Sequence, residues 1–350
     1  MKNRLREILL CSAIIVVIAL IVCVVKFHNG YDARKNMQEA STKTLVEAIA
    51  GVPNYENTES FTFAQTLPPT LAPTNAPTNA PTDAPTVIPT QPPTQAPTQA
   101  PVSNEIPSYV YSLSSTLKTC GYQIDKVKRD QYNRPDVVEG VHAAYGDKYN
   151  AVFIGPEEKV IYLTFTMGYE YVDENGVPNT DKILAILEEK GIKATFFVDW
   201  GYIYLQKAMC KKIVESGNAL GAHSYRHPPE GVASWPVADQ VNDAKKIKKA
   251  LYDATGVVPT LYRPDSGIWS EQSLAIIKEM GFKSILYSYS YNDFLVDNQP
   301  DPAVALQGLK DNLHYGEILY LHSISTTNVK ILPEFIDYAH SQGYTFKLFE

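Results

Sequence analysis

Two histidines four residues apart, His223 and His227 in "GAHSYRHPP", follow a short apolar run. That spacing brings two imidazoles to one side of a turn or helix start, as a divalent cation needs from a pair of nitrogen ligands. Ordinary surface histidines share the spacing, so the pair decides nothing alone. "LYRPDSGIWS" supplies Arg263, a rigid Pro264 and Gly267, a turn able to aim backbone N–H groups at an oxyanion, or simply a proline turn. "YSYSYNDF" contributes Asp293, and "ILYLHSIS" sets His322 directly after an apolar run. A carboxylate able to orient that imidazole makes it a candidate acid or base. "LTFTMGYEY" ends another apolar run at Thr166 and Met167, a hydroxyl and a thioether before a glycine turn.

Each of these groups stands at the end of a strand-like run, and the runs alternate with helix-like segments. "KVIYLTF" is followed by "TDKILAILEEKG", apolar at Ile183, Leu184, Ile186 and Leu187 and closed by Gly191, and then by "KATFFV". "YLQKAMCKKIVESG" leads to "ALGAH", "VADQVNDAKKIKKALYDATG" to "VPTLYR", and "SEQSLAIIKEMG" to "KSILYSYS". "PAVALQGLKDNLHYG" then leads to "EILYLH", and "NVKILPEFIDYAHSQG" to "YTFKLF". A chain of βα units implies an α/β fold with a parallel sheet and helices outside. This many favours a closed or nearly closed, distorted (β/α) barrel with its site beyond the strand C-terminal ends.

Upstream, composition changes twice. Ile8 to Val25 is uncharged and almost wholly apolar and follows Lys2, Arg4 and Arg6, which predicts a membrane anchor over residues 1–28 with a short cytoplasmic tail. A cleaved signal peptide is the alternative, but no small-x-small site follows Val25. Residues 29–105 read as an extracellular stalk. Its APTx repeat, Pro68 to Pro101, forbids helix and ladder bonding and predicts extended polyproline II with a reach on the order of 100 Å. Residues 106–350 have the composition of one globular domain. The protein is thus expected at the cell membrane, single-pass, with its C-terminal domain outside. Two of the four cysteines lie in the apolar run, leaving Cys120 and Cys210, too few for a disulfide framework or a spaced metal motif. A net charge of −7 without basic runs beyond the N-terminus excludes a nucleic-acid partner.

The motifs in this order resemble the polysaccharide deacetylase family, the NodB homology or carbohydrate esterase family 4 domain. Thr164, Phe165, Thr166, Met167 and Gly168 stand where the family has TFDDG. His223, Ser224 and His227 match its H-[ST]-x-x-H motif, Arg263 and Gly267 match part of R-x-P-[YF]-G, and Asp293 and His322 fit its last two motifs. "LTFxxGYE", "RPxxGIxSE" and "YxDF" look most like the delta-lactam-biosynthetic de-N-acetylases, which act on muramic residues of peptidoglycan. The resemblance implies a zinc or similar divalent metal on His223, His227 and position 167, a base at position 166, and His322 as general acid oriented by Asp293. Ser266, Gly267 and Trp269 would contact substrate, a cell-wall glycan or peptidoglycan.

Position 166 then matters most. A threonine hydroxyl cannot accept a proton at neutral pH, and a soft neutral thioether at Met167 replaces a hard carboxylate ligand. Asp199, at the end of "TFFVD", and Asp265, beside Arg263, are the candidate substitutes, with Asp265 the better placed by sequence because it would neutralise Arg263. Two classes of function follow: a membrane-anchored deacetylase with remodelled, impaired chemistry, or a catalytically inactive glycan-binding or scaffold module. Tyr287, Tyr289, Tyr291 and Trp269 could stack on sugars in either.

Overall fold

Val160 to Met167 carries β-branched and aromatic residues and is buried at every position but one, the signature of a central strand covered on both faces. The computed structural model describes residues 106–120 and 127–350. The expected anchor and stalk, including the Pro/Thr-rich linker, lie outside them. No helix among the described residues is long and apolar enough to cross a membrane.

Nine strands form one sheet in the order β2-β8-β6-β5-β4-β3-β10-β9, with β11 also on β3. They are β2 (Ala151–Val152), β3 (Val160–Met167), β4 (Thr195–Val198), β5 (Ala219–Ala222), β6 (Leu261–Tyr262), β8 (Lys283–Ile285), β9 (Tyr289–Ser290), β10 (Glu317–His322) and β11 (Thr345–Phe346). Every pairing within this sheet is parallel. Among the described residues the path has two ends, β2 and β9, so the sheet curls without closing, and the expected barrel is an incomplete one. Both end strands are two residues long, which leaves little backbone to join.

Helices connect these strands: α1 (Asp136–Tyr149), α2 (Asn179–Glu189), α3 (Trp200–Leu205), α4 (Lys207–Glu215), α5 (Val237–Thr255), α6 (Glu271–Glu279), α7 (Pro302–Asn312) and α8 (Thr326–Ser341). The stretch read as one helix from Tyr204 begins earlier and breaks at Gln206 into α3 and α4. Asp199 starts α3 by accepting the Tyr202 N–H at 2.7 Å. "KSILYSYS", read as one strand, divides into β8 and β9.

Sheet register already assembles part of the site. His322 is the parallel partner of Thr166, and Met167 pairs with Val198 directly before Asp199. A two-stranded antiparallel ribbon, β1 (Lys118–Thr119) with β7 (Ile268–Trp269), was not legible in the sequence. It brings the Cys120 N–H to the Gly267 carbonyl at 3.1 Å, so the segment before the barrel buttresses the arginine turn. Among the described residues no disulfide joins Cys120 or Cys210, and both thiols are buried.

Candidate active site

Thr166 is 5 % exposed and Arg263 1 % exposed, and Nη1 of the arginine donates to Thr166 Oγ1 at 3.3 Å. The Arg263 Nε and Nη2 groups donate to the Ile285 and Leu286 carbonyls at 3.2 and 3.3 Å. Its guanidinium lies 4.2 Å from the Phe197 ring centroid and 4.7 Å from that of Tyr320. Among the described residues no carboxylate pairs with it, and burial pushes its pKa down to about 10.

Asp265, expected beside Arg263, is not its partner. Both its oxygens accept the Val232 N–H, at 3.0 and 3.3 Å, and burial raises its pKa to about 6. The reason is the turn: Ser266 is left-handed (φ 54°), and Asp265 fastens the Gly231–Val232 loop instead. Asp199 is the carboxylate that reaches the first motif. Its Oδ2 would lie 2.9 Å from a Cβ added to Gly168, so only glycine fits there. Burial raises the Asp199 pKa to about 6, opposed by the Tyr202 N–H and by His227.

His223 follows β5 directly, its N–H on the Val198 carbonyl at 2.9 Å. Ser224 and His227 are left-handed (φ 63° and 44°), and Ser224 Oγ accepts the His227 N–H at 3.1 Å. Asp243 on α5 fixes the rest of the turn, accepting the Tyr225 and Arg226 N–H groups at 2.8 and 3.0 Å. The result sets the two Nε2 atoms 3.2 Å apart. The His223 Nδ1 faces the Arg263 carbonyl at 3.0 Å, which can only accept, so Nδ1 carries the hydrogen and Nε2 the lone pair. Burial first, then the neighbouring His227, holds the His223 pKa well below its usual value.

Two imidazole nitrogens at that separation suit one shared cation. The third position does not. Met167 is 1 % exposed and packs in the hydrophobic core, and among the described residues no group of three or more His, Cys, Asp or Glu could hold a metal ion. The residues present therefore do not fit a three-ligand centre.

Opposite, Asp293 is fully buried and binds His322 twice, through Nδ1 at 2.6 Å and the backbone N–H at 2.7 Å. Asn328 Nδ2 donates to the same carboxylate at 2.6 Å, and the Tyr291 hydroxyl bonds Asn328 Oδ1. His322 Nε2, the atom free for acid–base work, meets the Tyr320 hydroxyl at 3.0 Å. Tyr320 also faces the Thr166 hydroxyl and stacks on Tyr287, ring centroids 4.8 Å apart. Sequence reasoning missed Tyr320; its place two residues before His322, on the same strand face, was the available signal.

The expected substrate contacts divide. The arginine turn presents Ser266 to solvent and half-buries Gly267 (φ 64°). Trp269, by contrast, is 1 % exposed, wedged edge-on against Phe153 and Tyr145, and belongs to the core, because β7 turns it inward beneath β1. Tyr289 is buried and Tyr287 and Tyr291 are occupied by the stack and the Asn328 bond, so none of the four is a free sugar platform.

The polysaccharide deacetylase family model matches residues 154–285. Over 204 residues the chain is 34% identical to the peptidoglycan-N-acetylmuramic acid deacetylase PdaA of Bacillus subtilis, covering 57% of this chain and 74% of that protein. The chain belongs to the polysaccharide deacetylase family. This deacetylase-family chain is also 36% identical over 204 residues to an uncharacterized 30.6 kDa protein of Geobacillus stearothermophilus, again covering 57% and 74%. The solved structure of B. subtilis PdaA, a family 4 carbohydrate esterase, superposes with a TM-score of 0.59 at 28% identity, covering 67% of this deacetylase-family chain and 96% of that one.

Proposed function

We propose that this protein is a peptidoglycan-recognising member of the polysaccharide deacetylase family whose hydrolytic step is strongly impaired. The observation that carries this is the buried Arg263 guanidinium, which meets a threonine hydroxyl and two carbonyls where the family's reaction calls for a carboxylate base. A hydroxyl cannot take up the proton of an attacking water at neutral pH. What remains is an oriented imidazole, His322 on Asp293, and the His223–His227 pair, parts that bind and polarise. Activity of PdaA on N-acetylmuramic acid supports a muramic-containing glycan as ligand, in line with the "LTFxxGYE" and "YxDF" signatures. Residues 1–28 as membrane anchor and 29–105 as stalk would hold the domain at the wall, a reading that rests on the apolar run and the proline repeat.

One observation favours a second reading, a slow hydrolase: Asp199 reaches the first-motif glycine and interacts with His227. The test is to purify the full chain, measure bound zinc, pelleting with peptidoglycan, and acetate release. Pelleting without acetate release upholds the first reading. Acetate release abolished by both His223→Ala and Asp199→Asn upholds the second, and absence of pelleting overturns both.

A further inference from the structure

Beyond the imidazole turn lies a cavity of about 300 Å³ that the family chemistry does not use. The Tyr225 and Trp235 rings line it, together with Arg226, Lys246, Asp239 and Asp243. The two aromatic residues are half-buried and held in place. The Trp235 indole N–H donates to Glu230 at 3.1 Å and its carbonyl accepts Gln240 Nε2 at 2.7 Å, while Tyr225 packs on Trp200 with ring centroids 5.1 Å apart. Ring faces fixed in this way offer flat apolar area without the entropy cost of ordering a mobile side chain.

The charges are arranged unequally. Asp243 is 3 % exposed and both its oxygens are taken by the Tyr225 and Arg226 backbone N–H groups. Asp243 feels the Arg226 charge without an ion pair to it, and Asp239 lines the same cavity, yet neither Arg226 nor Lys246 forms an ion pair among the described residues. Lys246 instead hangs over the Tyr225 ring, Nζ 5.6 Å from the centroid. A guanidinium and an ammonium that form no ion pair among the described residues, beside two ring faces, suit a ligand with a carboxylate next to an apolar sugar face. Asp239 and Asn242 on α5 add acceptors and donors for hydroxyls.

We propose that this cavity is a second saccharide subsite, selective for a sugar unit that bears a carboxylate. It rests on the glycan-recognition reading above and extends it. Tyr225 and Arg226 lie between His223 and His227 in the chain, so the cavity adjoins the turn that carries the imidazole pair. Occupancy and the histidine turn share one anchor, Asp243.

The test uses the full chain and two disaccharide probes, N-acetylglucosamine linked to N-acetylmuramic acid, which carries a carboxylate, and neutral di-N-acetylchitobiose. Affinity is followed by calorimetry and by tryptophan fluorescence. The acidic disaccharide is expected to bind about tenfold more tightly or better, and Arg226→Gln with Lys246→Gln to remove that preference. Both side chains are exposed, so the double variant folds; its thermal midpoint checks this. Trp235→Phe should lower affinity for the acidic disaccharide and keep the preference, whereas His223→Ala should leave the preference intact. Equal affinities for the two probes, or a preference that survives the double variant, overturns the subsite. If the parent chain binds neither probe yet pellets with peptidoglycan, the subsite alone falls; if pelleting fails as well, the glycan reading falls with it.

Discussion

Arg263 Nη1 lies 3.3 Å from Thr166 Oγ1, a buried cation donating to a neutral hydroxyl. Carbonyl dipoles and two aromatic faces take the place of a counter-ion: Ile285, Leu286, Phe197 and Tyr320 surround the guanidinium. Such a site is preorganised for an anion at position 166.

Restoring that anion should restore chemistry. Thr166→Asp with Met167→Asp supplies a base beside Arg263 and a hard third ligand beside His223 and His227. Zinc content should rise toward stoichiometric and acetate release from peptidoglycan should increase about a hundredfold or more, the usual contribution of a placed general base. Unchanged zinc content in a folded double variant would show that the loss extends beyond these two positions.

The Tyr320 hydroxyl occupies His322 Nε2 and must leave before that imidazole can meet a substrate. Tyr320→Phe keeps the stack on Tyr287 and the face over Arg263 and removes only the hydroxyl. The His322 ring resonances, read by NMR, should move in this variant, and any acetate release in the Asp-restored background should increase.

Asp293 accepts three hydrogen bonds in a fully buried setting. Asp293→Ala strands the His322 and Asn328 donors and should cost about 2–4 kcal/mol in denaturant unfolding. Asp293→Asn should cost less while turning the His322 ring. Equal losses for the two variants would mean that packing, not hydrogen bonding, holds this corner.

Glu317 sits at the start of β10, far along the strand from His322, fully buried, and its carboxyl oxygens have no well-aligned hydrogen bond among the described residues, only a weak contact with the His314 N–H. Burial raises its pKa to about 8, with the His314 N–H and Arg129 pulling weakly the other way. The folded state thus holds this proton more tightly than the unfolded chain. Its contribution to stability is full below the unfolded value near 4.5 and disappears as pH rises through about 8. Glu317→Gln should flatten that slope and stabilise the domain at pH 8 relative to the parent, measured by urea unfolding at several pH values.

How much of this could be read beforehand follows from the range of each interaction. Alternating βα periodicity and glycine stops gave the parallel α/β layout, because hydrophobic patterning is local and each βα unit announces itself. It could not tell a closed barrel from a curled open sheet, since closure depends on pairing between β2 and β9, far apart in the chain. The two-residue ribbon that buries Trp269 is likewise non-local and too short to leave a pattern.

The same division runs through the site. Residue identity alone determined that Thr166 cannot be a base and that Met167 is a poor ligand, because those are properties of a hydroxyl and a thioether wherever they stand. Only the tertiary structure decided which carboxylate approaches the gap. Asp265 is two residues from Arg263 yet turns to Val232, whereas Asp199, on the neighbouring strand's end, reaches Gly168. Side-chain direction in a left-handed turn and parallel strand register set those distances, and neither is written in the spacing of residues along the chain.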